Sequence, residues 1–179
     1  MGERTVSSER PFEGKLISVR VDQVMLENGH VASREVVEHP GAVGILAWDG
    51  RRVAMVRQWR QAAGRDLLEI PAGTLDPGES PRATAERELG EECGLAAEGW
   101  EQGPSFFTAP GFCTERLTLF LATDLRDVEA DAPEDELLER SRLTLPEAVA
   151  AVEDGQVIDA KSVAGILWLA HRIGASLSS

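Results

Sequence analysis

The chain has two cysteines in 179 residues and very little lysine, and each scarcity closes off a reading. Cys93 and Cys113 have no metal-ligand spacing, and they are expected to behave as small buried apolar residues rather than as a disulfide or a nucleophile. Of the 18 basic residues, only Lys15 and Lys161 are lysine. The arginine bias follows genome composition first, although arginine also suits phosphate recognition. The net charge of −13 leaves no basic surface for a nucleic-acid backbone, so nucleic acid is excluded as a partner. No apolar run reaches the length of a membrane span, and the sequence opens without a basic stretch leading into an apolar one. A cytoplasmic protein with no membrane partner is the expectation. Internal repeats and low-complexity linkers are also lacking.

What is present is enough for one domain, or one domain with a small addition. Apolar residues make up 42% of the chain, sufficient for a full core. The first ten residues, MGERTVSSER, are polar and expected to fray. Lys15 to Leu26 alternates in strand fashion, Glu27-Asn28-Gly29-His30 carries an Asn-Gly hairpin signal, and Val31 to Glu38 is the return strand. A hairpin of that size is not stable alone and must pack on the main domain or on a second subunit. The expected division is 1–40 for this region and 41–179 for the main domain.

Ala42 to Trp48 is a continuous apolar run and predicts a buried strand, with Arg51 to Trp59 pairing back across Asp49-Gly50. Leu67 to Ala72 reads as a short strand. Later strands are expected over about 98–107, over 117–123 and near Leu143. Thr144 and Glu147 have capping-box spacing and open a short helix. Asp159 or Ser162 caps a last helix, whose apolar stripe is Val163, Ile166, Leu167, Ala170 and Ile173. Strands outnumber helices in a mixed order, which predicts an α/β layered sandwich around a mixed sheet.

Residues 73 to 95, GTLDPGESPRATAERELGEECGL, carry the chemistry. Asp76-Pro77-Gly78 is a turn, Ser80 a good N-cap, Pro81 a first helical residue and Gly94 a left-handed stop. In the helix between, Ala83, Ala85 and Leu89 are expected to face the core and the glutamates to face out. Glu88, Glu91 and Glu92 stand at i, i+3 and i+4, so three carboxylates share one face. Their mutual repulsion destabilises the isolated helix. A hard divalent cation removes that cost, because Mg²⁺ and Mn²⁺ prefer oxygen ligands.

Nine positions over these twenty-three residues, Gly73, Glu79, Arg87, Glu88, Leu89, Glu91, Glu92, Gly94 and Leu95, are in register with the pattern G-x5-E-x7-R-E-U-x-E-E-x-G-U, where U is apolar. The segment therefore resembles a complete Nudix box. The resemblance implies an α/β/α sandwich and hydrolysis of a nucleoside diphosphate linked to another group. It also implies Mg²⁺ or Mn²⁺ held by Glu88 and Glu92, with Glu91 assisting and the Ala72 carbonyl completing the shell. Arg87 would pair with an acidic residue of the box, Glu79 being the candidate, and orient the ligands.

Flanking patches resemble the ADP-ribose pyrophosphatase branch of that family. Pro110 falls sixteen residues after Gly94. Arg34 to Val43 looks like the branch's N-terminal strand pair, and Val56-Arg57-Gln58-Trp59-Arg60 like its RQYR segment with Trp for Tyr. Leu68 to Gly73 resembles ELPAG, and Asp159-Ala160-Lys161-Ser162 resembles DAKT. The branch implies a substrate of ADP-ribose, products AMP and ribose 5-phosphate, and a homodimer in which the N-terminal region completes the partner's site.

Arg34, Arg57 and Arg60 are candidates for the phosphates, since guanidinium forks fit them. Glu69, Pro110 and Glu115 are further substrate-side candidates. Trp59, Phe12 and Trp48 are candidates to stack on adenine, with Trp48 the more core-like. The branch implies a catalytic base on an acidic loop outside the box. In residues 133–139 the choice falls on Glu136, with Glu134 and Glu139 behind it; His39 and His171 are expected to be structural. The alternatives are hydrolysis of another nucleoside diphosphate sugar or a dinucleotide, and a non-catalytic nucleotide sensor. The intact box and the lack of a basic helix-turn-helix segment argue against the sensor.

Overall fold

In the computed structural model, which describes residues 2–129 and 137–174, the chain begins with β1 (Arg4–Glu13), β2 (Ser18–Met25), β3 (Val31–Glu38), β4 (Ala42–Ala47), β5 (Arg52–Arg60), β6 (Arg65–Glu69) and β7 (Ala72–Thr74). It continues with α1 (Pro81–Cys93), β8 (Leu95–Phe107), β9 (Arg116–Asp127), β10 (Glu139–Thr144), α2 (Leu145–Glu153) and α3 (Ala160–Arg172). Two compact units form: Met1–Gly41 with Phe106–Arg116, and Ala42–Ser105 with Leu117–Ser179.

In the first unit β1, β2 and β3 make an antiparallel sheet. The Asn-Gly turn forms as expected, with Gly29 at φ 81° and the His30 N–H donating to Asn28 Oδ1 at 3.1 Å. Against the expectation of fraying, Arg4 to Arg10 belong to β1. Every β1 side chain is exposed, so hydrophobic alternation could not reveal the strand. The β2 backbone ladder holds it instead, helped by Ser8 Oγ donating to buried Asp22 at 2.6 Å.

The second unit is built on a sheet ordered β7-β4-β9-β8, in which β4 and β9 run parallel. All six residues of β4 are buried, the pattern of a strand covered on both faces. Val43, Ile45 and Ala47 cluster with Ala85 and Leu89 of α1 and with Phe120 and Ala122 of β9. The alternate residues Gly44 and Leu46 face α3, whose Gly165 lies against Leu46, Leu119 and Ile70. A helix thus covers each face of the sheet, which is the α/β/α sandwich. A second sheet, ordered β10-β5-β6, lies in the same unit.

Capping follows the sequence closely. Ser80 Oγ accepts the Ala83 N–H at 3.2 Å, Pro81 starts α1, and Gly94 ends it at φ 63°. Thr144 and Glu147 form the full capping box of α2. Asp159, rather than Ser162, caps α3; Ser162 is buried and accepts the Ile70 N–H at 2.8 Å.

Two helix faces differ from expectation. In α1 the inward row is Thr84, Ala85, Glu88, Leu89 and Glu92, while Ala83 is exposed. Two of the three glutamates therefore face in, because their carboxylates meet the β7 backbone and Arg87 rather than water. In α3 the small residues Ser162 and Gly165 join Ile166, Leu169 and Ala170 on the buried face, and Ile173 is 45% exposed. The small side chains let the helix axis approach the sheet, and the stripe rotates with it.

Candidate active site

Where β7 passes beneath α1, the local geometry is set by one glycine. A Cβ on Gly73 would overlap the Glu88 carboxylate, so only glycine lets that side chain lie against the strand. One residue earlier, the Ala72 N–H donates to Glu92 Oε2 at 2.9 Å. Glu88 is 9% exposed and Glu92 3%, burial that a carboxylate tolerates only with partners.

Arg87 gathers most of the box's charge. Its Nη1 donates to Glu88 Oε1 at 2.8 Å and Glu91 Oε2 at 2.9 Å. Its Nε and Nη2 reach Glu79 at 3.3 and 3.1 Å, with Asp76 at 3.8 Å from Nη2. The hydrogen bonds that Arg87 donates to Glu79 raise the Arg87 pKa, against the effect of burial and with Glu88 and Glu91 adding to it. Reciprocally, the Arg87 hydrogen bond holds the Glu79 carboxyl below its ordinary value. Thr84 Oγ1 donates to Glu79 at 2.9 Å and fixes it further.

Among the described residues no three His, Cys, Asp or Glu side chains are already gathered about a common point; Arg87 is drawn in among the carboxylates instead. The residue types nevertheless fit a hard cation. They are oxygen donors on one helix face, two of them buried, with a glycine clearing the approach of Glu88.

A second charged cluster adjoins this one. Glu69, 2% exposed, accepts Arg60 Nε at 2.9 Å and also pairs with Arg60 Nη2. Lys161 Nζ lies 3.2 Å from the same oxygen and 2.8 Å from Asp159 Oδ1. Burial acts to lower the Arg60 pKa. The hydrogen bond and charge of Glu69, with Glu92 and Asp159 adding, raise it on balance. In the sequence Asp159 and Lys161 stand out as a helix start and as part of the DAKT-like patch; their pairing with Glu69 spans about ninety residues and has no local signal.

The strand period separates Arg57 from Arg60. Arg60 and Gln58 share the face of Glu69, whereas Arg57 lies on the other face. There it pairs across the ladder with Glu139 and lines a hollow of about 470 Å³ with Leu68, Ser141, Leu143 and Gln156. Trp59 is 56% exposed, its Nε1 donating to Gln61 at 2.9 Å. Glu134 and Glu136 lie outside the described residues.

In the first unit, Arg34, Pro110, Phe107 and Phe112 line a hollow of about 590 Å³ together with Arg20 and Asp22. Arg34 pairs with Glu3, whose hydrogen bond raises the arginine's pKa. Glu115 accepts Thr108 Oγ1 at 2.5 Å. His39 Nδ1 accepts the Gly41 N–H at 3.1 Å, a structural use of the ring, and exposed His171 lies in the last turn of α3.

A mixed sandwich with an acidic helix packed over a glycine-containing strand defines the class. The Nudix domain matches residues 38–164, and the nucleoside diphosphate sugar hydrolase N-terminal domain matches residues 3–37. The chain belongs to the Nudix family. It is 42% identical over 170 residues to an ADP-ribose pyrophosphatase of Bacillus subtilis, covering 93% of this chain and 92% of that protein. It is also 42% identical over 167 residues to an ADP-ribose pyrophosphatase of Mycobacterium tuberculosis, covering 91% and 81%. A methanol dehydrogenase activator of Bacillus methanolicus is 40% identical over 170 residues, covering 93% and 92%. A crystal structure of an ADP compounds hydrolase shares the fold, with a TM-score of 0.87 at 22% identity over 97% of this chain and 95% of that one.

Proposed function

We propose that the protein is a pyrophosphohydrolase that splits the diphosphate bond of ADP-ribose with water, giving AMP and ribose 5-phosphate. The observation that carries the reading is the α1 face, where Glu88, Glu91 and Glu92 are ordered by Arg87, Gly73 and the Ala72 N–H. Similarity to two ADP-ribose pyrophosphatases over most of the chain supports the choice of substrate.

Glu88 and Glu92, with Glu91 and the Ala72 carbonyl, would hold Mg²⁺ or Mn²⁺, which supplies charge neutralisation at the phosphates and a more acidic water. Arg87 keeps the carboxylates from splaying apart by bridging Glu88 and Glu91 to Glu79. Arg60, aimed by Glu69, is oriented to fork onto a phosphate. Arg57 in the second unit and Arg34, Pro110 and Glu115 in the first are the remaining residues proposed to contact substrate. Glu136 is the proposed base that takes the water's proton.

We further propose a homodimer. The β1–β3 sheet has one wholly exposed strand bearing Val6 and Phe12, each 51% exposed, and so small a sheet gains from packing on a second copy. Among the described residues no helix is long and apolar enough to cross a membrane, and two free thiols suit the cytoplasm.

A second reading is hydrolysis of another nucleoside diphosphate sugar. The match of residues 3–37 to the N-terminal domain of nucleoside diphosphate sugar hydrolases favours it. The test is turnover of ADP-ribose with Mg²⁺ or Mn²⁺ beside GDP-mannose, NADH and a diadenosine polyphosphate. A preference for ADP-ribose yielding AMP supports the first reading. Preference for a nucleotide sugar transfers the chemistry to the second, and tight binding without turnover of any overturns both.

A further inference from the structure

The last turn of α1 carries Glu91 and Glu92 but no basic residue. Its terminal carbonyls face away from the helix's own N–H groups, and the macrodipole makes this end negative. Two glutamates there add to the same sign. A cation is therefore expected from elsewhere in the chain.

Arg140 of β10 supplies it. Its Nε donates to the Glu92 carbonyl at 2.6 Å and its Nη2 to the Glu91 carbonyl at 3.2 Å. The two acceptors are the backbone oxygens of two glutamates whose side chains form the acidic face. Arg140 stands opposite Val56 on the ladder, so its side chain leaves the same face of the β10–β5 pair as Arg142 and Ala54. The Val128 N–H adds a bond to the Gly94 carbonyl at 2.9 Å. The helix end is thus held at its last turn by Arg140 and at its stop by Val128.

We propose that Arg140 is a positioning residue for the metal-ligand helix. It clamps the Glu91 and Glu92 carbonyls, fixes the rotation of the last turn, and so keeps the two carboxylates aimed at a divalent cation. Arg140 touches neither substrate nor metal; it acts through the backbone of the ligands. The proposal rests on the assignment of Glu88, Glu91 and Glu92 as metal ligands.

The test is direct Mn²⁺ binding to the full chain, read from the electron paramagnetic resonance signal of free Mn²⁺, beside thermal unfolding. R140M keeps the aliphatic stem and removes the donors and charge. A folded R140M is expected to bind Mn²⁺ about tenfold more weakly, the low end of the range for residues that orient metal ligands. R140K, which returns a single point charge, should recover part of that loss.

Wild-type Mn²⁺ affinity in folded R140M overturns the proposal. Equal weakening in R140M and R140K overturns it as well, because the defect is then one of general packing. If R140M does not fold, R140Q carries the same reading. E92Q is the control: if it binds Mn²⁺ as wild type does, the ligand assignment has failed and not the role of Arg140.

Discussion

Arg87 and Glu79 meet as a fork, guanidinium Nε and Nη2 at 3.3 and 3.1 Å from the two carboxylate oxygens, although they stand eight positions apart in the sequence. The fork holds Arg87 at the side of the acidic face, where its third nitrogen can bridge Glu88 and Glu91. In E79A the guanidinium is freed to move further over those carboxylates and compete with a cation. The half-saturating Mg²⁺ for hydrolysis should rise by about tenfold, as for other residues that orient ligands. The pair also leaves a pH signature. The Glu79 pKa is depressed, so its contribution to stability is present above the unfolded value of roughly 4.3 and is lost as pH falls through the folded one. The stability gap between wild type and E79A should therefore be open at neutral pH and close below about pH 4; a gap unchanged down to pH 3 would refute the ionic account.

Gly73 is demanded by a single contact. With a methyl group in place of its hydrogen, the Glu88 carboxylate has to leave the strand. G73A should fold, since β7 is a short partly buried strand, but lose activity by about a hundredfold or more, the scale seen when an active-site group is displaced by an ångström. Circular dichroism beside turnover at saturating metal checks this. A G73A enzyme with near-normal kcat would mean that Glu88 can work from another position.

How much of this was legible in the sequence varies with what each residue depends on. The box, its caps and the buried β4 follow local rules of spacing and propensity, and they could be read directly. β1 was missed because its stability lies in a backbone ladder to β2, which side-chain pattern does not encode. The inward face of α1 was misjudged by counting hydrophobicity alone. Glu88 and Glu92 are buried because β7 and Arg87 supply polar partners, and those partners are distant in sequence. The grip of Arg140 on the helix end spans 48 residues and had no local signal at all.

Cys93 follows Glu92 directly, yet it should be inert. Burial, and then the charge of Glu92, push its thiol up to about 12. It packs against the core cluster of Val43, Ile45, Leu89 and Phe120. In a C113S background, reaction of half-buried Cys93 with an aromatic disulfide at pH 8 should be far slower than that of a free thiol, because little thiolate is present. Rapid labelling of the native protein would show a thiolate population that this environment does not support.

Glu69 is where a structural and a substrate role can be separated. Its carboxylate is almost wholly buried and already engaged by Arg60, Gln58 and Lys161. Removing it strands Lys161, itself 12% exposed, with Asp159 as its remaining anion. E69A should therefore lose about 3 kcal/mol in urea unfolding, the scale for breaking a buried pair. It should also raise KM for the substrate, because Arg60 loses the partner that aims it. If Glu69 acts only through Arg60, the KM effects of E69A and R60A will not add in the double variant. Additive effects would mean that Glu69 meets the substrate itself, and the ion cluster would then open to admit it.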